Sequence, residues 1–196
     1  MPSRHTLTVS VPLPSILPPH LVVAALQTYT PVLVHNVTID KFETITADPS
    51  LLANDPFFAP WDDSVRAYHV WWHIELGHGL VRRWQWPVVM QYAPCGLRFR
   101  VLTPQNVHVW ARFTVRPRTT QPLASDSSPT SSESTATPSP MTSVADEWEL
   151  HDEIVVEGNR LYMPFVLPYA HRAHQRVCEN IVDAVFKSYV YGAMPD

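Results

Sequence analysis

The stretch YAHRAHQRVCENIVDAVFKSYV, Tyr169 to Val190, decides how the rest of the chain can be arranged. Its apolar residues recur at steps of three and four, which is the spacing of one face of an α-helix. They are Ala170, Ala173, Val177, Ile181, Ala184 and Val185, and they face away from Arg172, Arg176, Glu179, Asp183 and Lys187. The pattern predicts a long amphipathic helix, which needs an apolar surface elsewhere in the chain to cover.

The sequence before this helix alternates between apolar and polar residues, as half-buried β-strands do. The predicted strands are His5 to Val11, Val37 to Ile45, Val65 to Leu76, Val81 to Tyr92, Leu97 to Val101, Val107 to Val115, Trp148 to Val156 and Leu161 to Phe165. Short turns rich in Gly, Pro and Asn separate most of them, which indicates an antiparallel meander with one apolar face.

The positions of three prolines and Thr30 indicate two short helices after the first strand. Pro18 and Pro19 open a helix at about His20 to Thr28, and Thr30 with Pro31 starts a helical turn, because proline is favoured in a first helical turn. By the same reasoning Pro168 is expected to start the last helix. The predicted fold class is α+β: a curved antiparallel sheet of about seven strands wrapped around a long C-terminal helix, in a single domain spanning residues 1–196.

Two segments lie outside this pattern. Nineteen of the twenty-seven residues in 117–143 are Ser, Thr or Pro, so this segment is interpreted as a disordered insert between strands. Residues 48–63 combine three prolines with Phe57, Phe58 and Trp61. We interpret this second segment as a tethered loop, with a lid over an opening as the alternative.

Composition excludes several classes of protein. The net charge of −4 and the scattered arginines argue against nucleic-acid binding, and no stretch has the ~20 apolar residues of a membrane span. The sequence begins without the pattern of a signal peptide, so a cytoplasmic location is expected. Cys95 and Cys178 are interpreted as reduced core thiols. His69 and His73 would be about 13 Å apart on a strand, so neither a metal site nor a cofactor is predicted.

The order of elements resembles the helix-grip fold of the START and birch-pollen-allergen (SRPBCC) superfamily, which includes polyketide cyclases and lipid-transfer domains. Five segments carry a closer resemblance: RHTLT (4–8), LP (13–14), TP (30–31), DEWELHDEI (146–154) and AHRAH (170–174). In these segments the chain resembles a filamentous-fungal domain family of unknown function. The resemblance implies an elongated apolar pocket between sheet and helix, and it transfers no catalytic residue.

If such a pocket exists, aromatic and apolar residues of the inner face should line it. The candidate ligand-binding residues are Tyr68, Trp72, Trp84, Trp86, Met90, Tyr92, Phe99, Val177 and Ile181. The same residues would also suit a packed core without a cavity, and the sequence does not separate these alternatives. Trp71 and Trp110 fall on the outer face, where they could form an exposed surface for a protein partner.

Two polar residues interrupt the apolar faces and are the candidate catalytic residues. Asp152 shares a strand face with Leu150 and Ile154, unless a β-bulge turns it outward. His174 falls inside the apolar stripe of the helix, where it could be a general base or a core histidine bonded to backbone. If the two side chains meet, they form an acid–base pair suited to enolisation or cyclisation.

Three functions remain open at this point. The preferred hypothesis is binding of a hydrophobic small molecule, a lipid or a polyketide-like metabolite. The first alternative is a cofactor-independent cyclase or isomerase of secondary metabolism on the same fold. The second alternative is a non-catalytic interaction module with a filled core. A cavity would favour the first two, and polar groups converging on it would favour an enzyme.

Overall fold

The computed structural model describes residues 2–47, 55–60, 62–75, 81–103, 106–118 and 147–192. Seven strands and three helices follow one another in this order: β1 (Pro2–Pro12), α1 (Pro19–Leu26), α2 (Thr30–Val34), β2 (Ile39–Ile45), β3 (Arg66–Glu75), β4 (Val81–Ala93), β5 (Gly96–Leu102), β6 (His108–Pro117), β7 (Trp148–Asn159) and α3 (Met163–Tyr191). A short 3-10 turn, Pro56–Phe58, lies between β2 and β3.

All seven strands form one antiparallel sheet in the order β1-β7-β6-β5-β4-β3-β2. Strands β2 to β7 form a meander. The first strand, β1, pairs with the last strand, β7, along its whole length. Apolar residues alternate along these strands, so the sheet has one apolar face, and α3 packs against that face along β1 and β7. The predicted α+β fold, a curved antiparallel sheet around a long C-terminal helix, is confirmed.

The start of α3 differs from the sequence prediction. The helix begins at Met163, so the predicted strand Leu161 to Phe165 is wrong, and Pro168 lies inside the helix. Met163 and Val166 extend the three-and-four spacing of Ala170 backwards, which explains why this segment is helical. Proline at position 168 removes one hydrogen bond to the carbonyl group of Pro164. The helix nevertheless continues through this position to Tyr191 and has 29 residues in all.

The end of β7 also differs. Gly158 and Asn159 belong to this strand, where the sequence predicted a hairpin turn. The chain turns immediately afterwards: the Tyr162 amide donates to the Asn159 carbonyl at 2.9 Å, and the Leu161 amide donates to the Asn159 side chain at 3.0 Å. One residue therefore holds the connection from sheet to helix.

Residues 55–60 pack on the outer face of the sheet, away from α3. Phe58 is fully buried there with Ala67 and Val89 in a second, small apolar cluster. Arg98 donates to the Ala59 carbonyl at 3.1 Å, and Gln91 donates to the Pro60 carbonyl at 2.8 Å. The described part of the 48–63 segment is thus a tethered loop on the back of the sheet; residues 48–54 and 61 lie outside the described residues.

Asp55 holds this loop through a buried charge pair. Its carboxylate lies 2.6 Å from the guanidinium of Arg100 and accepts the indole N–H of Trp110 at 3.0 Å. Arg100 is only 5% exposed, and it also lies 5.4 Å from the ring of Phe58. Burial acts to raise the pKa of Asp55, but the hydrogen bonds from Trp110, Arg100 and the Phe57 amide outweigh it, and the pKa lies below its ordinary value.

The remaining structural expectations have mixed outcomes. Cys178 is buried, but Cys95 is exposed in the β4–β5 turn, so its interpretation as a core thiol is wrong. The predicted disordered insert, residues 117–143, falls largely on residues 119–146, which lie outside the described residues. Among the described helices, none has both the length and the hydropathy needed to cross a membrane.

We expect Asp55→Ala to destabilise the fold by about 3 kcal/mol, because the substitution removes a buried carboxylate that both Arg100 and Trp110 contact. Chemical denaturation in urea measures the change. Asp63→Ala, an exposed position in the same connection, serves as the control and should shift the free energy of unfolding by less than about 0.5 kcal/mol. Equal effects of the two substitutions would contradict this role of Asp55.

The stability contributed by Asp55 should also depend on pH. Because its pKa is lower in the folded than in the unfolded protein, the contribution is fully present above the ordinary value of 3.8 and is lost as the pH falls through the folded value. The difference in unfolding free energy between wild type and Asp55→Asn should therefore shrink on acidification. A difference that stays constant from neutral to acidic pH would contradict the assignment.

Candidate functional site

A cleft of about 760 Å³ lies between the inner face of the sheet and α3. Its sheet wall comes from inward-facing residues of four neighbouring strands, β3 to β6, and its opposite wall from the first half of α3. The helix wall is Val166, Tyr169, Ala170, Ala173, His174 and Val177, and Val32 and Asn36 close one side. Since Ala170 and Ala173 have small side chains, the helix leaves room in front of the sheet.

Three tryptophans form the aromatic part of the sheet wall. Trp72 on β3 pairs across the ladder with Trp84 on β4, and Trp86 follows two residues later on the same face. The ring centroids of Trp72 and Trp86 are 5.8 Å apart, and those of Trp84 and Trp86 are 5.9 Å apart at an interplanar angle of 28°. The cleft therefore presents a row of three indole rings, inclined to their neighbours by 28° and 32°.

The predicted ligand-binding residues divide into two groups. Trp72, Trp84, Trp86, Phe99 and Val177 line the cleft, while Tyr68, Met90, Tyr92 and Ile181 are not among its lining residues. Met90 and Ile181 are fully buried, and Tyr68 packs edge-on against Phe42. These four residues lie outside the cleft lining, because strand parity shows which face a residue is on but not what covers it. Ligand binding by the first group stays a prediction.

Tyr92 shows what covers the far end of β4. It is 42% exposed and stacks on Tyr29 with ring centroids 4.8 Å apart. Gln27, just after α1, donates to the Ala93 carbonyl at 3.2 Å. The connection between α1 and α2 therefore covers this end of the sheet, and the cleft lies towards the other end.

Asp152 points into the protein between sheet and helix, with no exposed surface. Its strand pairs without a break on both sides, Val9 opposite Asp152 on β1 and Phe113 opposite it on β6. The β-bulge that would have turned Asp152 outward is therefore not present. A carboxylate in such a position is costly unless it is paired or hydrogen-bonded.

His174 is the partner of Asp152. Its Nδ1 lies 2.6 Å from Oδ2 of Asp152, and its side chain is 14% exposed. The imidazole stacks on Phe113 with ring centroids 6.0 Å apart and meets the edge of Phe99 at 6.5 Å. These rings and the carboxylate hold the imidazole in one orientation at the cleft wall.

This arrangement has a definite chemical capacity. With Nδ1 directed at the carboxylate, Nε2 on the opposite side of the ring is the nitrogen that can exchange a proton with a bound molecule. The buried carboxylate would stabilise the imidazolium formed in such a step. A catalytic role for Asp152 and His174 stays a prediction, but the structure brings the two residues into the contact that the hypothesis required.

Cys178 lies one helical turn after His174 and is fully buried. Burial, and then the charge of Asp152, raise the pKa of this thiol well above its ordinary value of 9.0. A thiol kept protonated is a poor nucleophile. The interpretation of Cys178 as a packing residue is therefore supported.

Some lining residues were absent from the sequence prediction. Tyr162, Pro164 and Phe165 lie at the start of α3, in the segment that the sequence predicted to be a strand. Arg82 and Arg172 also line the cleft and are both exposed, so they lie at its mouth. Arg82 could have been found, because it shares the inward parity of Trp84 and Trp86.

The outer tryptophans do not form a bare surface. Trp71 is half-buried beneath Lys41, whose ammonium lies 4.9 Å from the ring centroid. Trp110 is half-buried by its bond to Asp55 and by Arg4, 5.8 Å from its ring. Neither residue therefore offers the exposed surface for a partner that the sequence suggested.

The histidines of the outer face have other neighbours. His73 Nδ1 lies 2.7 Å from Asp40, and His69 lies 3.1 Å from Gln85. Within the part of the chain that the structure describes, no three His, Cys, Asp or Glu side chains are grouped as a metal site.

Solved structures with the same fold have sequences that are 8–10% identical to this chain. The aromatase/cyclase Zhui from Streptomyces sp. R1128 has a TM-score of 0.57 at 10% identity, over 98% of this chain and 100% of that chain. A point mutant of norcoclaurine synthase from Thalictrum flavum has a TM-score of 0.55 at 8% identity, over 96% and 98%. TTHA0849 from Thermus thermophilus has a TM-score of 0.53 at 8% identity, over 94% and 99%. These similarities show the fold alone.

Comparisons of sequence give two findings. A search of curated proteins finds no match. Residues 2–187 match the model of a family described as "Domain of unknown function (DUF7053)". The expected membership of a domain family with a START-like fold is thereby confirmed, while the expected fungal origin is not tested.

We expect single removal of His174 to destabilise the protein more than removal of the whole pair. His174→Leu leaves the Asp152 carboxylate buried alone and should cost about 3 kcal/mol. Adding Asp152→Val to that variant should restore most of the loss, because replacing both partners of a buried hydrogen bond by apolar residues of similar size can be nearly neutral. Urea denaturation of His174→Leu, Asp152→Val and the double variant measures this, and simple additivity of the two single losses would refute the coupling.

Proposed function

The chain belongs to this DUF7053 family, and we propose that it binds a hydrophobic small molecule, a lipid or polyketide-like metabolite, in the cleft between the sheet and α3. The single observation that carries the proposal is the cleft itself, about 760 Å³ in volume and walled mainly by aromatic and aliphatic side chains. Small-molecule sites in proteins have volumes of about 300–1,000 Å³ and similar walls.

The physical basis for binding is the apolar surface that the cleft leaves uncovered. A ligand that fills it removes that surface and its own from water, at about 25 cal/mol for each Å². The neighbouring rings of Trp84 and Trp86, inclined by 28° to each other, favour a flat or extended molecule, since aromatic groups stack offset on one another. The proposal therefore names flat or elongated apolar molecules ahead of compact ones.

The cleft also counts against the interaction module with a filled core. That alternative required side chains to occupy the space in front of the tryptophans, and Ala170 and Ala173 leave it open. It further required exposed outer tryptophans, and both are half-buried under charged side chains. No described feature favours it over ligand binding.

A second candidate function is a cofactor-independent cyclase or isomerase. The specific observation in its favour is the contact of 2.6 Å between His174 and Asp152 at the cleft wall. A general base of this kind typically contributes about 10²–10⁴-fold to a rate. Two proteins of the same fold are named as an aromatase/cyclase and a synthase, so the fold is compatible with such chemistry in other proteins.

The other expectations drawn from the sequence are also proposals. They are the fungal origin, a role in secondary metabolism, a cytoplasmic location, the absence of nucleic-acid binding, and the organisation as one domain with a disordered insert. The identity of a protein partner stays open. The binding hypothesis depends on none of these.

We expect Ala173→Phe to abolish ligand binding without unfolding the protein, because the added ring projects into the cleft. Native mass spectrometry of the wild type, purified from its own host, should detect a co-purifying apolar molecule, and the variant should lack it. Ala184→Phe, on the same helix but outside this cleft, is the matched control and should retain the molecule. Circular dichroism verifies that all three proteins are folded.

Two outcomes would contradict the proposed binding in the cleft. If the wild type and Ala184→Phe carry no small molecule, and neither binds an added apolar fluorescent dye, the cleft is not a binding site. If Ala173→Phe retains the molecule at the wild-type level, binding takes place elsewhere on the protein.

The catalytic candidate requires a second measurement, with the co-purified molecule as substrate. We expect His174→Gln to retain binding within about threefold and to lose turnover by about 10²–10⁴-fold, because only proton transfer is removed. Asp152→Asn should lose turnover as well, since the imidazole loses its carboxylate. If the double variant Asp152→Ala/His174→Ala leaves binding and turnover unaltered, the pair has no catalytic role.

A further inference from the structure

We propose that the molecule bound in the cleft carries an anionic group, which Arg82 and Arg172 hold at the mouth. This inference rests on the proposed binding function and adds the charge and orientation of the ligand. The bound molecule is then an amphipathic anion, with an apolar body along the tryptophans and a carboxylate or phosphate group at the rim.

Arg82 reaches the cleft from the sheet. It lies two residues before Trp84 on β4, and strand alternation therefore directs it to the same inner face. Its guanidinium lies 5.7 Å from the ring centroid of Trp84, and its side chain is exposed. An arginine at an inward position, stacked on the wall of an apolar cleft, places a fixed positive charge beside the ligand.

Arg172 reaches the mouth from the helix. It is exposed, and its Nε donates to the Pro168 carbonyl at 3.2 Å, which orients the guanidinium along α3. The terminal nitrogens can then donate to a ligand. Among the described residues, neither Arg172 nor Arg82 has a carboxylate within ion-pair distance.

The charge of the cleft is opposite to that of the chain. The protein has a net charge of −4, yet the described lining holds two arginines and no Asp or Glu. Asp152 lies next to this lining, behind His174, and already pairs with that residue. In a cleft with apolar walls, an attraction between charges is stronger than at an open surface. The lining therefore favours an anion over a neutral or cationic molecule.

The exposed positions of Arg82 and Arg172 determine the orientation of the bound molecule. Because both lie at the mouth, the anionic group keeps part of its hydration, which avoids the cost of burying a charge. The flat apolar body then extends inward along Trp84 and Trp86 towards His174. Guanidinium groups bind carboxylates and phosphates through paired hydrogen bonds, so both anions suit the site.

A pair of dyes with the same ring system tests the inference. Anilinonaphthalene sulfonate is an anion, and phenylnaphthylamine is its uncharged parent. Dissociation constants of both are measured by fluorescence for the wild type and for the double variant Arg82→Gln/Arg172→Gln. We expect the double variant to bind the sulfonate about tenfold more weakly, from a few-fold for each partly exposed ion pair, and to bind the neutral dye unchanged.

The control variant has the same change in net charge. In Arg83→Gln/Arg176→Gln, one substitution lies next to Arg82 but on the outer face, and the other lies one turn after Arg172 outside the cleft lining. This variant should bind both dyes like the wild type. Raising the salt concentration should weaken binding of the sulfonate to the wild type and leave binding of the neutral dye unchanged.

Displacement of the sulfonate dye distinguishes the possible anions. Naphthoate, naphthyl phosphate and the uncharged methyl naphthoate share one ring system and are compared as competitors. Either anion should displace the dye at a lower concentration than the ester does, and the stronger of the two identifies a carboxylate or a phosphate ligand. Equal displacement by all three would overturn the inference.

The outcomes separate this inference from the function on which it rests. If both dyes bind and the Arg82/Arg172 variant affects them equally, the anion site is refuted while the apolar cleft stands. If the control variant weakens the sulfonate as strongly, the effect comes from overall charge and the inference fails. If neither dye binds to the wild type, both the anion site and the proposed binding function fail.

Discussion

The structure depends on one constraint: a single long helix has to cover the apolar face of a seven-stranded sheet. Helix α3 packs along β1 and β7, at one edge of the strand order, and the α1–α2 region covers one end of β4. The tryptophans of β3 and β4 lie towards the opposite edge. Since a helix is only about 10 Å wide, it cannot close over this whole surface, and the uncovered part becomes the cleft.

The environment of each polar residue on the inner face follows from this incomplete coverage. Asp152 lies under α3, where burial makes a lone carboxylate costly, and His174 compensates for it from the helix. The imidazole thereby reaches the border between packed core and cleft. In contrast to the buried Asp152, Arg82 and Arg172 lie at the rim of the cleft, where their charges stay hydrated. The cleft thus has the contact between Asp152 and His174 in its wall and two exposed arginines at its mouth.

Much of the architecture could be predicted from local patterns. Alternation in 81–92 placed Trp84, Trp86 and Met90 on one face, and helical spacing placed His174 among apolar residues. Prediction failed where two patterns compete: Leu161 to Phe165 alternates like a strand but also continues the helical spacing, and Pro168 looked like a helix start. The structure resolves this in favour of the helix, because Met163 and Val166 then reach the core and its margin.

The sequence by itself determined which residues face inward, since the periods of strand and helix depend only on backbone geometry. Tertiary structure alone decided which inward residues are packed and which border open space. Met90 lies outside the cleft lining, whereas Trp86, four residues away on the same strand face, belongs to it. It also decided that Asp152 meets His174, residues 22 positions apart on different elements. Contacts between elements depend on how helix and sheet dock, and that docking is set by the summed packing of many side chains.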